Sequence, residues 1–385
     1  MKIGILTFHH VDNYGATLQA CALWNFLNSQ GYDVEIIDYR PLKIAWMYFR
    51  PLLPIKRVKS SINESKKIRI NQKYLINISK YWKMRSFLLS HVKLSQKRFY
   101  DKKGFKYYHD KYDVVICGSD QIWCIDSFRG YNSSFFLDFV SNKTTRKISY
   151  AASFGNTTKL GPYQKEICTL INQFQTILVR DSNSVEIIAN ECNKKAVKVL
   201  DPTFLIKYDA LKNPPKITNK YLLLYVQADM EAEEEEFIKL LAKEQNLTIV
   251  SVGRYEKLAQ INLETASPKE WIGLHSEASY IVTNTFHGTV FSIIFHKPFT
   301  VLLPSDKSNK VKDLLNDFGL TNRIFSEKLK PQLLNKQIFD IDYESVSSIL
   351  ESKIMESKKH LIEAILEAEI DSKSKVMLDE IRNKE

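Results

Sequence analysis

The sequence predicts an α/β fold of two Rossmann-like domains facing each other across a cleft, with a basic helical insertion in the first domain and a C-terminal helical tail. Three observations carry this. Apolar, β-branched runs of strand length alternate with stretches of helical period in two separate series. A polar stretch from Lys207 to Asn219, containing Pro214-Pro215, separates the series. The chain has 385 residues, 44% of them hydrophobic, enough for two cores. The expected domains are 1–206, with the insertion at about 42–112, then 207–335, with the tail at 336–385.

The first series opens with a strand from Lys2 to Phe8. Asn13 can cap the helix that follows, Leu18, Ala22, Leu23, Phe26 and Leu27 give it an apolar face, and Gly31 stops it. A strand at 34–39 completes a right-handed βαβ unit. No G-x-G-x-x-G is present, so the turn is not the dinucleotide fingerprint. Helical pieces are expected at about 62–80 and 82–91. Buried strands are expected at 112–117, from Lys147, and at 176–181, with helices at about 162–174 and 184–189. The second series runs strand 221–226, helix 230–245, strand 247–252 and helix 268–278. It ends in the stretch Tyr280-Ile281-Val282-Thr283-Asn284-Thr285-Phe286-His287-Gly288, where strand period gives way to helical period. A strand from Phe299, a short helix at 310–318 and a long charged helix from Tyr343 follow. The tail either packs back across the first domain or makes a dimer contact.

The net charge is +11, unevenly spread. From Leu42 to Tyr112 there are nineteen Lys and Arg against Glu64, Asp101 and Asp110, with Trp46, Tyr48, Phe49, Tyr74, Tyr81, Trp82, Phe87 and Phe99 interleaved. Such a segment is a solvated face packed through its aromatics, a membrane-surface element, or a nucleic-acid binder. Peripheral contact with an anionic membrane surface, without a nucleic-acid partner, is the expectation taken forward. No apolar run is long enough to span a bilayer, and the N-terminus lacks a signal peptide's apolar core and cleavage site. The five cysteines fit no zinc pattern and read as buried thiols of a cytoplasmic protein, one at the inner membrane surface if the basic segment docks there.

Polar turns at the carboxyl ends of strands nominate the site, because open α/β sheets bind ligands there. His287 can move a proton near neutral pH, or it merely caps its turn. Arg180 ends a strand and suits phosphate or carboxylate, or it pairs with a neighbour such as Asp181. Asp120 is a general base, a hydroxyl-orienting group, or a helix cap. Gly15 lets the backbone approach a ligand beside Asn13. His9, Gln121, Thr285, Gly288 and Lys310 complete the candidates. No metal-ligand cluster is evident.

These turns resemble the polysaccharide pyruvyl transferase family. The matching residues are Gly4-Ile5-Leu6-Thr7 with Asn13-Tyr14-Gly15-Ala16 and Gln19-Ala20, Cys117 to Trp123, Ser149 to Gly155, Val179-Arg180-Asp181, Asp201-Pro202-Thr203, and Thr283 to Phe291. They span most of the chain apart from the basic segment and the tail. The resemblance implies a GT-B-like fold and transfer of a pyruvyl group from phosphoenolpyruvate to a sugar, usually as a ketal, with release of phosphate. It places His287 beside the enolpyruvate and Arg180 on its phosphate or carboxylate; the charge of the two anionic groups suits Lys310 and the helix N-termini as further holders. Asp120 or His9 then accepts the hydroxyl proton. The acceptor is a lipid-linked or nucleotide-linked sugar of surface polysaccharide synthesis, and no cofactor is needed. The chain departs from the family in having Thr285 where many members carry arginine, and Lys310 where arginine is common. The rivals are a glycosyltransferase using a nucleotide sugar and a non-catalytic protein binding anionic polymer or membrane.

Overall fold

The computed structural model describes residues 1–49, 64–107, 111–141, 145–303, 309–326 and 340–382. Seven parallel strands form the first sheet: β1 (Lys2–Leu6), β2 (Asp33–Tyr39), β3 (Leu94–Phe99), β4 (Val114–Cys117), β5 (Arg146–Ala152), β6 (Thr176–Val179) and β7 (Val197–Lys198). Their order is β3-β2-β1-β4-β5-β6-β7. The second sheet holds β8 (Tyr221–Tyr225), β9 (Thr248–Val252), β10 (Ile261–Leu263), β11 (Tyr280–Thr283) and β12 (Phe299–Val301), also parallel, in the order β10-β9-β8-β11-β12. In both sheets the order reverses at the first strand of the series, where a crevice opens at the carboxyl ends. The strands read as unbroken apolar runs because both faces are covered: β4 and β11 are buried at every position.

The basic segment differs from the expected insertion. It contributes strand β3, which pairs in parallel with β2 at Ile36–Leu94 and Tyr39–Phe99. The segment is therefore the crossover from one strand of the sheet to its neighbour. Gln96, Lys97 and Arg98 are exposed, as charged residues on an edge strand commonly are, and they interrupt the apolar pattern that marks the other strands. The two helical pieces are one helix, α3 (Glu64–His91), whose Met84, Phe87 and Leu88 are buried in the core. The preceding helix α2 spans Leu42–Phe49. A disulfide joins Cys168 of helix α4 (Gln164–Ile171) to Cys192 of α5 (Ser182–Cys192), where free thiols were expected; Cys21, Cys117 and Cys124 are free and buried.

Helix α1 (Tyr14–Ser29) locks the two domains together. Tyr14 donates to the carbonyl of Ala266 at 2.6 Å and stacks on Trp271 with ring centres 5.5 Å apart. Trp271 sits on α7 (Pro268–Glu277), behind a Ser267–Glu270 capping box. From α3, Lys80 bonds the carbonyl of Gly253 at 3.1 Å and Lys83 approaches Glu270 at 3.5 Å. The remaining helices of the second domain are α6 (Ala232–Glu244), α8 (Phe286–Ile294) and α9 (Asn309–Asp317). The last helix, α10 (Tyr343–Arg382), packs back across the first domain: Ser357 accepts from the amide of Leu200 at 3.0 Å, and Arg146 pairs with Glu367.

Candidate active site

Strand ends of both sheets converge on a cavity of about 470 Å³, lined among others by Asn13, Asp120, Arg180, Tyr225 and His287. Asp120 follows β4, Arg180 follows β6, Asp201 lies beyond β7, and His287 sits in the first turn of α8 after β11. The N-termini of α1 and α8 meet here from opposite domains. Asn13 caps α1 by accepting from the amide of Ala16 at 3.0 Å, and Thr285 caps α8 by accepting from the amide of Gly288 at 2.9 Å. Two helix starts facing one cavity favour an anion within it.

The centre of the site is Asp201, a wholly buried carboxylate. Its Oδ2 accepts from Arg180 at 2.9 Å and from Ser119 Oγ at 3.1 Å, and lies 3.6 Å from Nε2 of His287. Its Oδ1 accepts from the amide and hydroxyl of Thr203 at 3.0 and 2.7 Å. Burial alone pushes this carboxyl up, but His287 and Arg180 outweigh it and hold the group well below the usual carboxylate range. His287 is buried, and its Nε2 has no hydrogen-bond partner among the described residues. The imidazole fits only because residue 15 has no side chain. A Cβ on Gly15 would lie 2.0 Å from Nδ1 of His287. The glycine thus makes room for the histidine of the other domain, rather than for a ligand directly.

Arg180 is almost fully buried with its guanidinium 4.3 Å over the ring of Phe286. One arm is held by Asp201, while Nε and the other arm have no hydrogen-bond acceptor among the described residues; that arm lies 3.7 Å from Asp120. Buried donors without acceptors are costly and mark where a ligand belongs. Lys310 and Arg129 line the same cavity. Burial, then the nearby Arg180, pushes the Lys310 ammonium down to about 8. For Asp120, burial pushes the carboxyl up, but Arg180, His287, Arg129 and Lys310 prevail and hold it below its usual range. It is ionised, and it becomes a stronger base once an anionic ligand neutralises those cations.

A pH dependence follows. Because Lys310 is charged below about pH 8 and neutral above it, affinity for an anion falls as pH rises through that value. The expected result is a decline in kcat/KM for the anionic substrate above about pH 8 that is absent in Lys310→Met. An unchanged decline in the variant would assign the titration to another group.

Of the residues singled out in the sequence, Asn13, Asp120, Gln121, Arg180, Thr285, His287 and Lys310 line the cavity. Thr285 does so with its hydroxyl committed to Gly288 and to Thr283 Oγ1 at 3.0 Å. Gly288 is not among the lining residues. Its amide is taken by the cap, and a Cβ there would lie 2.2 Å from Thr283 Oγ1. His9 belongs elsewhere: its Nε2 meets Asp38 Oδ1 at 3.0 Å and its Nδ1 meets the carbonyl of Thr7, because the loop after β1 turns it toward the end of β2. Arg180 pairs with Asp201 and not with Asp181, which caps α5 through the amide of Ser184. Sequence reasoning missed Asp201 and Arg129 as site residues. The former stood in plain view in Asp201-Pro202-Thr203; the latter lies in a loop with no period to mark it.

The family model described as polysaccharide pyruvyl transferase matches residues 13–306. No curated protein matches the chain. Among solved structures, UDP-GlcNAc 2-epimerase from Neisseria meningitidis bound to UDP-GlcNAc is 11% identical with a TM-score of 0.51, over 95% of this chain and 100% of that one. Arabidopsis thaliana UGT89C1 complexed with UDP-L-rhamnose is 10% identical with a TM-score of 0.50, over 95% of this chain and 98% of that one. At such identities the likeness is one of fold, and the fold is GT-B-like.

Proposed function

The chain belongs to the polysaccharide pyruvyl transferase family and is a transferase, and we propose that its cavity moves the enolpyruvyl group of phosphoenolpyruvate onto two hydroxyls of a sugar as a ketal, with release of phosphate. The observation that carries this reading is the pair of unfilled Arg180 donors in a cavity that Lys310 and His287 also line. Phosphoenolpyruvate has two anionic groups on one small carbon frame. A forked arginine and a lysine suit such a ligand, Arg180 through two hydrogen bonds and Lys310 as a point charge.

The chemistry needs one acid and one base. His287, beside Asp201, gives its proton to the methylene carbon. A sugar hydroxyl then bonds to the adjacent carbon as its proton passes to Asp120, giving an addition product that still carries phosphate. A second hydroxyl displaces phosphate and closes the ketal, its proton returning to His287 while Asp120 gives its own to the departing phosphate. Arg180 and Lys310 stabilise the leaving phosphate as its charge grows. No cofactor enters, since the donor supplies both the carbon group and the driving force. The acceptor is a sugar of polysaccharide biosynthesis.

The test is the melting temperature with phosphoenolpyruvate, UDP or GDP, on the wild-type chain and on Lys310→Ala. A ligand that binds only the native state raises it. Phosphoenolpyruvate is expected to stabilise the wild type, and the variant less. Stabilisation by a nucleotide with none by phosphoenolpyruvate would move the assignment to sugar transfer from a nucleotide sugar.

A further inference from the structure

We propose that the outer face of α3 is a docking surface for an anionic lipid bilayer, independent of which donor the cavity takes. Leu75, Trp82 and Leu89 are 64%, 63% and 54% exposed. They recur every seventh residue, so they form one stripe about 21 Å long on the helix. The buried residues Met84, Phe87 and Leu88 lie on the opposite side of the same helix. The stripe is therefore not a core face left slightly open. It is a second apolar face with protein behind it and solvent in front.

Helix α2 has an exposed apolar side as well. Leu42 and Trp46 on α2 are 62% and 57% exposed while Ile44 between them is buried. Of the twelve large hydrophobic side chains exposed among the described residues, six fall between 42 and 100, within a quarter of the chain. A regular exposed stripe such as that of α3 marks an interaction surface, whereas scattered exposure needs no explanation. The partner's chemistry follows from charge. Among the described residues from 73 to 103, Lys73, Lys93, Lys97, Arg98, Lys102 and Lys103 are exposed against the single acid Asp101. A second copy of the chain would bring the same positive charge against it. Nucleic acid would match the charge but leave three bulky apolar side chains with nothing to bury against. An anionic bilayer offers both an acyl boundary and headgroup charge, and tryptophan favours that interface. Lys80 and Lys83, from the same helix, contact the second domain, so docking here holds the cleft beside the membrane surface.

The experiment is flotation of the full chain with vesicles of phosphatidylcholine alone and with vesicles containing phosphatidylglycerol. The chain is expected to float only with the anionic vesicles, and less as salt rises. The triple variant Leu75→Ser, Trp82→Ser, Leu89→Ser is expected to lose on the order of a hundredfold in vesicle affinity. Its melting temperature and its activity on soluble substrates are expected to match the wild type, because the stripe faces away from the core. Equal flotation of the triple variant and wild type would overturn the proposal. So would failure to float with anionic vesicles combined with a concentration-dependent dimer that the triple variant abolishes, which would make the stripe a seam between copies.

Discussion

Replacing His287 with glutamine is expected to lower turnover by about a hundred- to ten-thousand-fold while leaving the affinity for phosphoenolpyruvate near that of the wild type. Glutamine fills similar space and can donate a hydrogen bond, but it cannot deliver a proton at neutral pH. The anion-binding groups Arg180, Lys310 and Arg129 are untouched. Asp201 keeps Arg180, Ser119 and Thr203 as partners, so the fold should hold. The measurement is phosphate release in a single turnover, alongside donor binding by calorimetry. A loss of affinity with turnover preserved would show that His287 holds the donor and does not protonate it.

A single methyl group at Gly15 is expected to be nearly as damaging. Gly15→Ala places a carbon 2.0 Å from Nδ1 of His287, so the imidazole must leave its place beside Asp201. Displacements of this order in a catalytic group cost about a hundredfold. The effect is separable from helix stability, because alanine is the better helix former at that position by about 1 kcal/mol. Turnover should therefore fall while the chain remains folded. The double variant Gly15→Ala, His287→Ala removes the clash, and its melting temperature should exceed that of Gly15→Ala alone. Such non-additivity is the signature of direct contact between the domains at this point. Additive effects would separate the two residues in solution.

The strands that carry the site were legible because they are buried on both faces and flanked by polar turns: Val114–Cys117 before Asp120, Thr176–Val179 before Arg180, Tyr280–Thr283 before His287. The family, too, was legible, since its motifs lie in those same turns. Strand β3 was not, because an edge strand presents Gln96, Lys97 and Arg98 to solvent and shows no run to read. Pairings between distant residues were equally invisible. Nothing in the sequence couples Gly15 to His287, or Arg180 to Asp201, or Cys168 to Cys192; the fold brings them together. His9 shows the converse error. Position after a strand suggested the cavity, but the loop carries it to Asp38 on the neighbouring strand. Arg129 supplies a cation to a cavity whose turn carries Thr285, a cap, where family resemblance suggested arginine.

The most direct test of the central claim is the reaction run in deuterium oxide with phosphoenolpyruvate and a pool of lipid-linked and nucleotide-linked sugars. Proton delivery to the methylene carbon predicts a pyruvyl ketal whose methyl group carries one deuterium, formed in step with free phosphate, and predicts neither in His287→Gln. Sugar transfer from a nucleotide donor with phosphoenolpyruvate left unconsumed would contradict it.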